Sequence, residues 1–284
     1  MIKPAIITVT YNSSDKIERF LNSLLLNSSN IKEVFIIENN SPDKLKTETI
    51  CKKYSKKLHL TFTFNQNVGF GKSCNLGVTL SKSKYFIFLN PDTELNEGSL
   101  ETLINHYSSN NADIIGGKAL TYQGKPHGSA VRIPNLFIGI FEFSNLGKLL
   151  KISGAHKKFY YEDREILKSI KDEVVDAVSG GYMLTNKEVW NKLKGFDENI
   201  FMYLEDVDFG KRAKDIGLKT VFCPHSVIWH VGGASSKNKY RINHQSWFDS
   251  RKYYYRKHFG LLSNTIIQAI YTVEEYFLKK FKSI

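Results

Sequence analysis

Cysteine is scarce in this chain of 284 residues, which contains only Cys51, Cys74 and Cys223. The number is odd and the spacings match no metal-binding motif, which argues against a disulfide framework and against a cysteine-based metal site. Reduced cysteines are typical of cytosolic proteins. The cysteine content therefore predicts a cytoplasmic protein.

Long apolar runs are also missing. No run reaches the roughly 20 residues that a membrane-spanning helix needs, and the first apolar segment, "MIKPAIITVTYN", is too short for a signal peptide. Acidic residues are outnumbered, because 40 Lys and Arg against 28 Asp and Glu give a net charge of +12. This excess predicts an anionic partner such as nucleic acid, a membrane surface or a phosphorylated ligand. A genome that favours lysine codons would produce the same excess without any partner.

Apolar segments alternate with helical patterns through the first part of the chain. The segments "PAIITVTYN", "EVFIIENNS", "LHLTFTF" and "KYFIFLN" predict buried strands. Strands that alternate with helices predict an α/β fold with one doubly wound, mostly parallel sheet. Residues 121–172 are irregular, and the chain from Tyr240 onward is basic, aromatic and helical in pattern.

Polar side chains follow the ends of these predicted strands. In an open α/β sheet, ligands bind at the edge formed by the carboxyl ends of the strands. The pattern therefore predicts a polar binding site at that edge. Its candidate residues are Asn12, Glu38, Asn39, Asn65, Asn67 and Asp92.

One of these strand ends, "FIFLNPDTEL" at residues 86–95, stops abruptly at Asn90 and Pro91. Asp92 follows at once. Hard divalent cations such as Mg²⁺ and Mn²⁺ take oxygen ligands, often one or two carboxylates together with substrate phosphates. Asp92 fits that role, although aspartate is also common in turns and at helix caps without any ligand.

The segment "YLEDVDF" places three carboxylates, Glu205, Asp206 and Asp208, within four positions. Acidic residues stabilise a helix N-terminus, which is the structural explanation. Three close acids also repel one another, and they require a cation or a raised pKa to coexist. A general base is one reason to assemble them.

Two further segments carry polar or glycine-rich signals. In "IWHVGGASS", His230 follows an apolar strand and is a candidate for a metal or diphosphate site. In "NQNVGFGKSCNLG", the glycines allow the backbone to approach a ligand closely. This segment lacks the Lys-Ser/Thr ending of a nucleotide-hydrolase phosphate loop, which excludes that class of site.

In this order, the segments resemble a family-2 glycosyltransferase of the GT-A fold. The resemblance rests on "ITVTYNSSDKIERFLNSL", "VFIIENNSPD", "NQNVGFGKSCNLGV", "FIFLNPDTEL" and the long segment from "VSGGYMLTNKEVW" through "FMYLEDVDFGKRAKDIG" to "VIWHVGGAS". It covers residues 4–260, is most specific at 65–95 and 178–236, and is weakest at 135–172. More narrowly, the chain is similar to bacterial rhamnosyltransferases that build O-antigen and related surface polysaccharides.

The resemblance implies a role for each matching position. It assigns nucleotide binding to Thr10, Tyr11, Glu38, Asn39, Asn67, Gly69 and Asn75. The family usually has Asp where this chain has Glu38, which moves the carboxylate by one methylene. In the metal signature Asp-any-Asp, Asn90 replaces the first acid, so Asp92 binds Mg²⁺ or Mn²⁺ and His230 completes the metal shell. Asp206 matches the catalytic base, with Glu205 and Asp208 as supporting acids.

The reaction implied is a single displacement that inverts the anomeric carbon of a nucleotide sugar. The expected donor is dTDP-β-L-rhamnose, and UDP- or dTDP-linked galactosyl, galactofuranosyl or N-acetylglucosaminyl donors are the alternative. The expected acceptor is a glycan carried on a polyprenyl diphosphate lipid. Residues 1–240 would form the catalytic domain, with the nucleotide-sugar part at about 1–120 and the acceptor part at about 121–240.

Residues 241–284 would form a basic, aromatic helical region. Arg251, Lys252, Arg256, Lys257, Lys279, Lys280 and Lys282 are its cations. Such a region predicts peripheral contact with the anionic inner face of the plasma membrane. Packing on the catalytic core, or on a second subunit in a homodimer, explains the same residues equally well.

Two other classes of protein fit the sequence less well. A nucleotidyltransferase would place a glycine-rich, basic phosphate loop near the N-terminus, where this chain has "ITVTYNSSDKIERF". A nucleic-acid-binding protein would explain the net charge but not the carboxylates, and no reader motif is recognisable. We therefore expect no nucleic-acid partner.

Overall fold

The computed structural model describes residues 2–230 and 240–281. The glycines of "IWHVGGASS" and Lys282 lie outside these ranges. Within them, nine strands form one large sheet and two more form a small separate pair. The strands are β1 (Ala5–Thr10), β2 (Glu33–Glu38), β3 (Leu60–Phe64), β4 (Tyr85–Leu89), β5 (Thr93–Leu95), β6 (Ile114–Leu120), β7 (Ala130–Val131), β8 (Glu173–Val174), β9 (Ala177–Val178), β10 (Tyr182–Asn186) and β11 (Thr220–His230).

Helices cover both faces of the large sheet and one end of the molecule. The α-helices are α1 (Ile17–Leu26), α2 (Lys44–Lys52), α3 (Phe70–Leu80), α4 (Ser99–Ser109), α5 (Leu136–Phe141), α6 (Leu146–Leu149), α7 (Gly154–Phe159), α8 (Lys187–Leu193), α9 (Glu205–Asp215), α10 (Tyr240–His258) and α11 (Leu261–Phe281). Short 3₁₀ turns lie at Ser28–Asn30, Glu162–Arg164 and Ile166–Lys168. The irregular region predicted at residues 121–172 thus contains strand β7 and several short helices.

The first half of the large sheet is parallel. Its strand order is β3-β2-β1-β4, and each neighbouring pair runs in the same direction. Thr10 at the end of β1 lies opposite Glu38 at the end of β2. The carboxyl ends of these strands therefore meet at one edge, as the alternation of strands and helices predicts.

The second half of the sheet is mixed. β10 runs antiparallel to both β4 and β6, β6 pairs parallel with β11, and β5 and β8 pair antiparallel with β11. The expectation of a mostly parallel sheet therefore describes the first half only. A buried strand has the same apolar pattern in either direction, so the sequence does not reveal the reversal at β10.

The C-terminal helices pack against the region that includes α5 and α7. Tyr254 and Tyr255 of α10 and Ile267 and Tyr271 of α11 are fully buried, in a cluster with apolar residues of the region that includes α5 and α7. Each such side chain contributes roughly 2–3 kcal/mol by burial. Among residues 2–230 and 240–281, no helix combines the length and the apolar character that crossing a membrane requires.

Candidate active site

A cavity of about 270 Å³ opens at the carboxyl ends of the parallel strands. Five of the residues assigned by the resemblance line it. They are Tyr11, Asn39, Asn67, Gly69 and Asp92. The opposite wall comes from Phe201, Met202 and Tyr203, which precede α9. The cavity therefore lies between the predicted nucleotide-binding half and the predicted acceptor half.

Hydrogen bonds hold the glycine-rich loop against this cavity. The side-chain amide of Asn39 donates to the carbonyl of Gly69 at 3.1 Å, and the Asn39 amide oxygen accepts from Ser73 Oγ at 2.6 Å. Gly69 has φ of +93°, and a Cβ at that position would lie 2.1 Å from the carbonyl oxygen of Phe201. Because only glycine fits there, the loop can touch the far wall of the cavity.

Thr10 and Glu38 lie behind the cavity and do not line it. Thr10 Oγ1 donates to Glu38 Oε2 at 2.6 Å, and the other Glu38 oxygen accepts from the backbone of Ser41 at 2.8 Å. Both side chains are fully buried. In this arrangement they shape the loop that follows β2. Direct contact of either residue with a nucleotide stays a prediction.

Asn75 also lies away from the cavity. Its amide donates to the carbonyl of Phe196 at 2.9 Å, and its oxygen accepts from the Phe196 backbone at 3.0 Å. These bonds connect α3 to the loop after α8. The geometry favours a bracing role for Asn75 over the predicted contact with nucleotide, because both ends of its amide are already engaged.

Asp92 and His230 meet at the edge of the cavity. His230 Nε2 lies 3.1 Å from Asp92 Oδ1, and both side chains are mostly buried. Burial alone would raise the pKa of Asp92, but the hydrogen bond with His230 and the electrostatic interactions with His230 and Lys16 lower it. Asp92 is therefore an ionised carboxylate beside an imidazole, which is a donor set suited to a divalent cation.

Glu205 and Asp206 begin α9, directly after the wall of the cavity. Asp206 Oδ2 accepts from the backbone of Gly180 at 2.9 Å, and burial raises the pKa of Asp206. Glu205 is 8% exposed. Its Oε2 has no hydrogen-bond partner among the described residues. Burial, with the charge of Asp206, raises the pKa of Glu205 to about 8. A carboxyl group with a raised pKa is suited to proton transfer near neutral pH.

The backbone before α9 is strained. Tyr203 and Leu204 have φ of 73° and 67°, a region that costs non-glycine residues about 1–2 kcal/mol each. The loop is held by α10, because Ser250 Oγ donates to the carbonyl of Met202 at 2.8 Å and the ring of Trp247 lies 5.9 Å from that of Tyr203. Strain of this kind is common at functional sites.

Asp208 lies on the other side of α9, away from the cavity. It is fully buried and accepts from Arg212 Nε at 2.7 Å, Lys257 Nζ at 2.6 Å and His258 Nε2 at 2.7 Å. Burial alone would raise the pKa of Asp208, but the bond from His258 and the charges of Arg212 and Lys257 lower it. The predicted role as a supporting acid is therefore not favoured, and Asp208 anchors α10 to α9.

Sequence reasoning missed several residues at this site. Lys16 and Ser13 line the cavity, and Lys16 brings a positive charge to it. His127 stacks edge-to-face on His230 with ring centroids 4.5 Å apart. Burial and the charge of His230 lower the pKa of His127. His127 lies in a region without a recognisable pattern, while Lys16 could have been found from its position in the loop between β1 and α1.

Known proteins resemble the chain in sequence and in structure. It is 26% identical over 237 residues to "N-acetylglucosaminyl-diphospho-decaprenol L-rhamnosyltransferase" of Mycobacterium tuberculosis, an alignment that covers 79% of this chain and 75% of that protein. It is 29% identical over 230 residues to "Poly(ribitol-phosphate) beta-N-acetylglucosaminyltransferase TarP" of Staphylococcus aureus, covering 80% of this chain and 63% of that protein.

Among solved structures, GalNAc-T7 with UDP, GalNAc and Mn²⁺ superposes with a TM-score of 0.62 at 15% identity. The match covers 100% of this chain and 57% of that one. This similarity agrees with the GT-A fold that the resemblance predicts. The model of the family described as "Glycosyl transferase family 2" matches residues 5–169, which is more than half of the chain. The chain belongs to glycosyl transferase family 2.

Proposed function

We propose that the protein is an inverting, metal-dependent glycosyltransferase that moves L-rhamnose from dTDP-β-L-rhamnose onto a glycan in surface polysaccharide assembly. One observation carries the proposal. A single sheet edge brings together the Asn39–Gly69 loop contact and the Asp92–His230 pair, with Asp206 at the start of the helix behind the far wall. The similarity to a rhamnosyltransferase supports the choice of donor.

A divalent cation fits the chemistry of the Asp92 region. Asp92 is ionised, His230 is within 3.1 Å of it, and the lowered pKa of His127 favours its neutral form, which can act as a ligand. Imidazole suits Mn²⁺ better than Mg²⁺, which prefers oxygen. When bound, the cation would stabilise negative charge on the leaving diphosphate.

The residues of the chain bind the nucleotide and transfer the proton. Asn67, Gly69 and Tyr11 bind the nucleotide along the cavity wall, and Lys16 adds a positive charge beside the phosphates. Asp206 Oδ1 and Oδ2 are oriented by the backbone N–H groups of Val207 and Gly180. Asp206 accepts the proton of the acceptor hydroxyl as that oxygen attacks the anomeric carbon from the face opposite the diphosphate. The leaving group departs with the bonding electron pair, and the configuration is inverted.

Another nucleotide sugar is the second candidate donor. The similarity to an N-acetylglucosaminyltransferase favours a UDP-linked sugar as that alternative. Glu38 affects the choice between a dTDP- and a UDP-linked donor. Its carboxylate is already hydrogen-bonded to Thr10 and Ser41, so the nucleobase would be recognised by backbone groups of the loop that follows β2.

The proposed acceptor is a glycan on a polyprenyl diphosphate, and the proposed location is the inner face of the plasma membrane. An apolar groove of about 640 Å³ lies between α6 and α11. We call it the apolar groove, and its apolar residues are Leu146, Leu149, Ala269, Ile270, Val273, Phe277 and Leu278. Lys148 and Lys151 are exposed beside it, which suits an anionic surface. A second copy of the chain is the other candidate occupant.

A panel of nucleotide sugars tests the proposed function. We expect release of dTDP from dTDP-β-L-rhamnose in the presence of Mn²⁺ and a polyprenyl-diphosphate glycan, and its loss on addition of EDTA. Asp92→Ala should abolish metal-dependent binding of dTDP while the circular dichroism spectrum stays unchanged. If only a UDP-sugar is turned over, the donor is that sugar and not dTDP-β-L-rhamnose. Full activity in EDTA would contradict the proposed metal dependence.

A further inference from the structure

A second cluster of metal-ligating side chains lies on the far side of the sheet from the C-terminal helices. It combines His106 in the last turn of α4, Asp172 in the segment before β8, and Cys223 on β11. One ligand atom from each residue lies within 4.8 Å of the others. Three separate elements of the chain therefore converge on one point.

The polar groups of this cluster are incompletely paired. His106 Nδ1 lies 2.6 Å from Asp172 Oδ2, which also accepts from Asn110 Nδ2 at 2.5 Å. The other oxygen, Asp172 Oδ1, is buried and has no hydrogen-bond partner among the described residues. An unpaired buried carboxylate oxygen costs roughly 1–3 kcal/mol or more, so a ligand that satisfies it would stabilise the fold.

A fourth ligand is available from the same strand. Cys223 and His225 are two residues apart on β11, and Cys223 is buried whereas His225 is exposed beside the cluster. The rings of His225 and His106 lie 5.1 Å apart. The register of β11 against β6 shifts between Cys223 and Val227, so the strand is bulged at this point. Bulges commonly re-aim side chains at functional positions.

We propose that His106, Asp172 and Cys223, with His225 as the fourth ligand, form a structural Zn²⁺ site. A thiolate with imidazole and carboxylate ligands in a four-coordinate set is typical of zinc and unsuited to Mg²⁺. Ligand atoms on tetrahedral zinc lie about 3.3–3.7 Å apart for bonds of about 2.0–2.3 Å. The widest pair of ligand atoms must therefore come about 1 Å closer, and the 2.6 Å contact between His106 and Asp172 must open. The loop position of Asp172 permits both movements.

The site would connect the region before β8 to the catalytic sheet. Asp172 belongs to the segment that follows the short helices of residues 136–168, and His106 and Cys223 belong to the sheet and its covering helix. Zinc bound only in the folded state would stabilise the protein in proportion to its affinity and concentration. Burial, together with the charge of Asp172, raises the pKa of the Cys223 thiol to about 12. A bound cation would reverse both effects by stabilising the thiolate.

The test uses Co²⁺ as a spectroscopic probe for Zn²⁺. Every protein in the test, including the reference, carries Asp92→Ala, so that the predicted catalytic metal site does not contribute. We expect this full-length reference protein to bind one Co²⁺ with a near-ultraviolet thiolate-to-cobalt charge-transfer band, and to release it when Zn²⁺ is added. Cys223→Ser should remove the band and weaken binding by at least about 10–100-fold.

Cys51→Ser is the matched control, because Cys51 is equally buried in the same hydrophobic cluster but lies outside the metal cluster. It should retain the band. His106→Ala, which changes a partly exposed helix residue, should weaken Co²⁺ binding by a similar factor if Cys223→Ser does not fold. Failure of the full chain to retain Co²⁺ or Zn²⁺ at micromolar concentration would overturn the proposal and leave a His106–Asp172 ion pair. Equal Co²⁺ binding by the two cysteine variants would overturn it too.

Discussion

Asp206 and Asp208 are two positions apart on one helix, yet they have opposite environments. Asp206 follows the cavity wall, accepts hydrogen bonds from the backbone N–H groups of Gly180 and Val207, and has a raised pKa. Asp208 is fully buried, bonded to three cationic or ionisable side chains, and has a lowered pKa. Residues two apart on a helix point in directions that differ by about 200°. The crowding of acids in "YLEDVDF" is therefore consistent with two different roles, structural anchoring for Asp208 and the proton transfer that we propose for Asp206.

The largest effect should come from Asp206→Asn. The substitution is nearly isosteric and removes the proton acceptor, so turnover should fall by about 10²-fold or more. Binding of the donor, measured by calorimetry, should stay near the wild-type value. Turnover within a few-fold of wild type would move the base to Glu205 and remove the contrast between the two aspartates.

Asp208→Asn should affect stability rather than chemistry. Removing one partner of a buried ion-pair network costs about 3 kcal/mol, because Arg212, Lys257 and His258 lose their shared counter-charge. Chemical denaturation should report this loss, and Tm should fall by roughly 5–10 °C. Turnover per folded molecule should stay within a few-fold of wild type. A large loss of turnover with unchanged stability would show that Asp208 belongs to the active site.

The same network predicts a pH dependence. The folded pKa of Asp208 is lowered from 3.8. Its stabilising contribution is therefore full above the unfolded pKa and is lost as the pH falls through the folded value. The stability difference between wild type and Asp208→Asn should be constant from pH 6 to 8 and should shrink below about pH 4.

Glu205→Gln should produce an effect of the opposite sign. The folded pKa of Glu205 is about 8 against an ordinary value of 4.5. Its contribution is fully present below pH 4.5 and is lost as the pH rises through 8, because the folded state resists ionisation. Glutamine cannot ionise, so the variant should gain stability relative to wild type as the pH rises from 5 to 8. Parallel urea-unfolding profiles at pH 5, 7 and 9 would contradict the raised pKa.

The parts of the site that could be predicted share a simple physical origin. Parallel strands align their carboxyl ends, so the positions of Tyr11, Asn39 and Asp92 at one cavity follow from strand order. Side-chain direction does not follow from such patterns. The inward turn of Glu38, the bracing bonds of Asn75 and the burial of Asp208 depend on contacts with distant segments, such as Lys257 of α10.

Like the two aspartates, the cations of the C-terminal helices do not all have the role that the sequence suggests. Arg251, Lys252 and Lys257 form ion pairs with Glu274, Glu275 and the Asp197–Asp208 pair. The pairs of Arg251 and Lys252 hold α11 on α10, and those of Lys257 hold α10 on the core, so these cations no longer support the membrane hypothesis. The hypothesis depends instead on the apolar groove and the exposed lysines beside α6. Truncation after Gly260 would remove the fully buried Tyr271 and expose the apolar residues that pack around it. Point variants are therefore the better test.

The smallest expected effect is on vesicle binding by the double variant Leu149→Ser, Phe277→Ser. Leu149 and Phe277 are 75% and 52% exposed, so their replacement should leave the fold intact. Each apolar side chain that enters a membrane interface contributes on the order of 1 kcal/mol, so co-sedimentation with anionic vesicles should weaken by about tenfold or more. High salt should weaken wild-type binding as well, because the lysines act through screened charge. Ile170→Ser, at an apolar residue that is 87% exposed outside the groove, is the control and should bind like wild type.

Sedimentation velocity tests the other candidate occupant of the groove, a second copy of the chain. If the wild type is a dimer, the double variant is a monomer and vesicle binding is unchanged, the groove is a dimer interface and the membrane hypothesis is wrong.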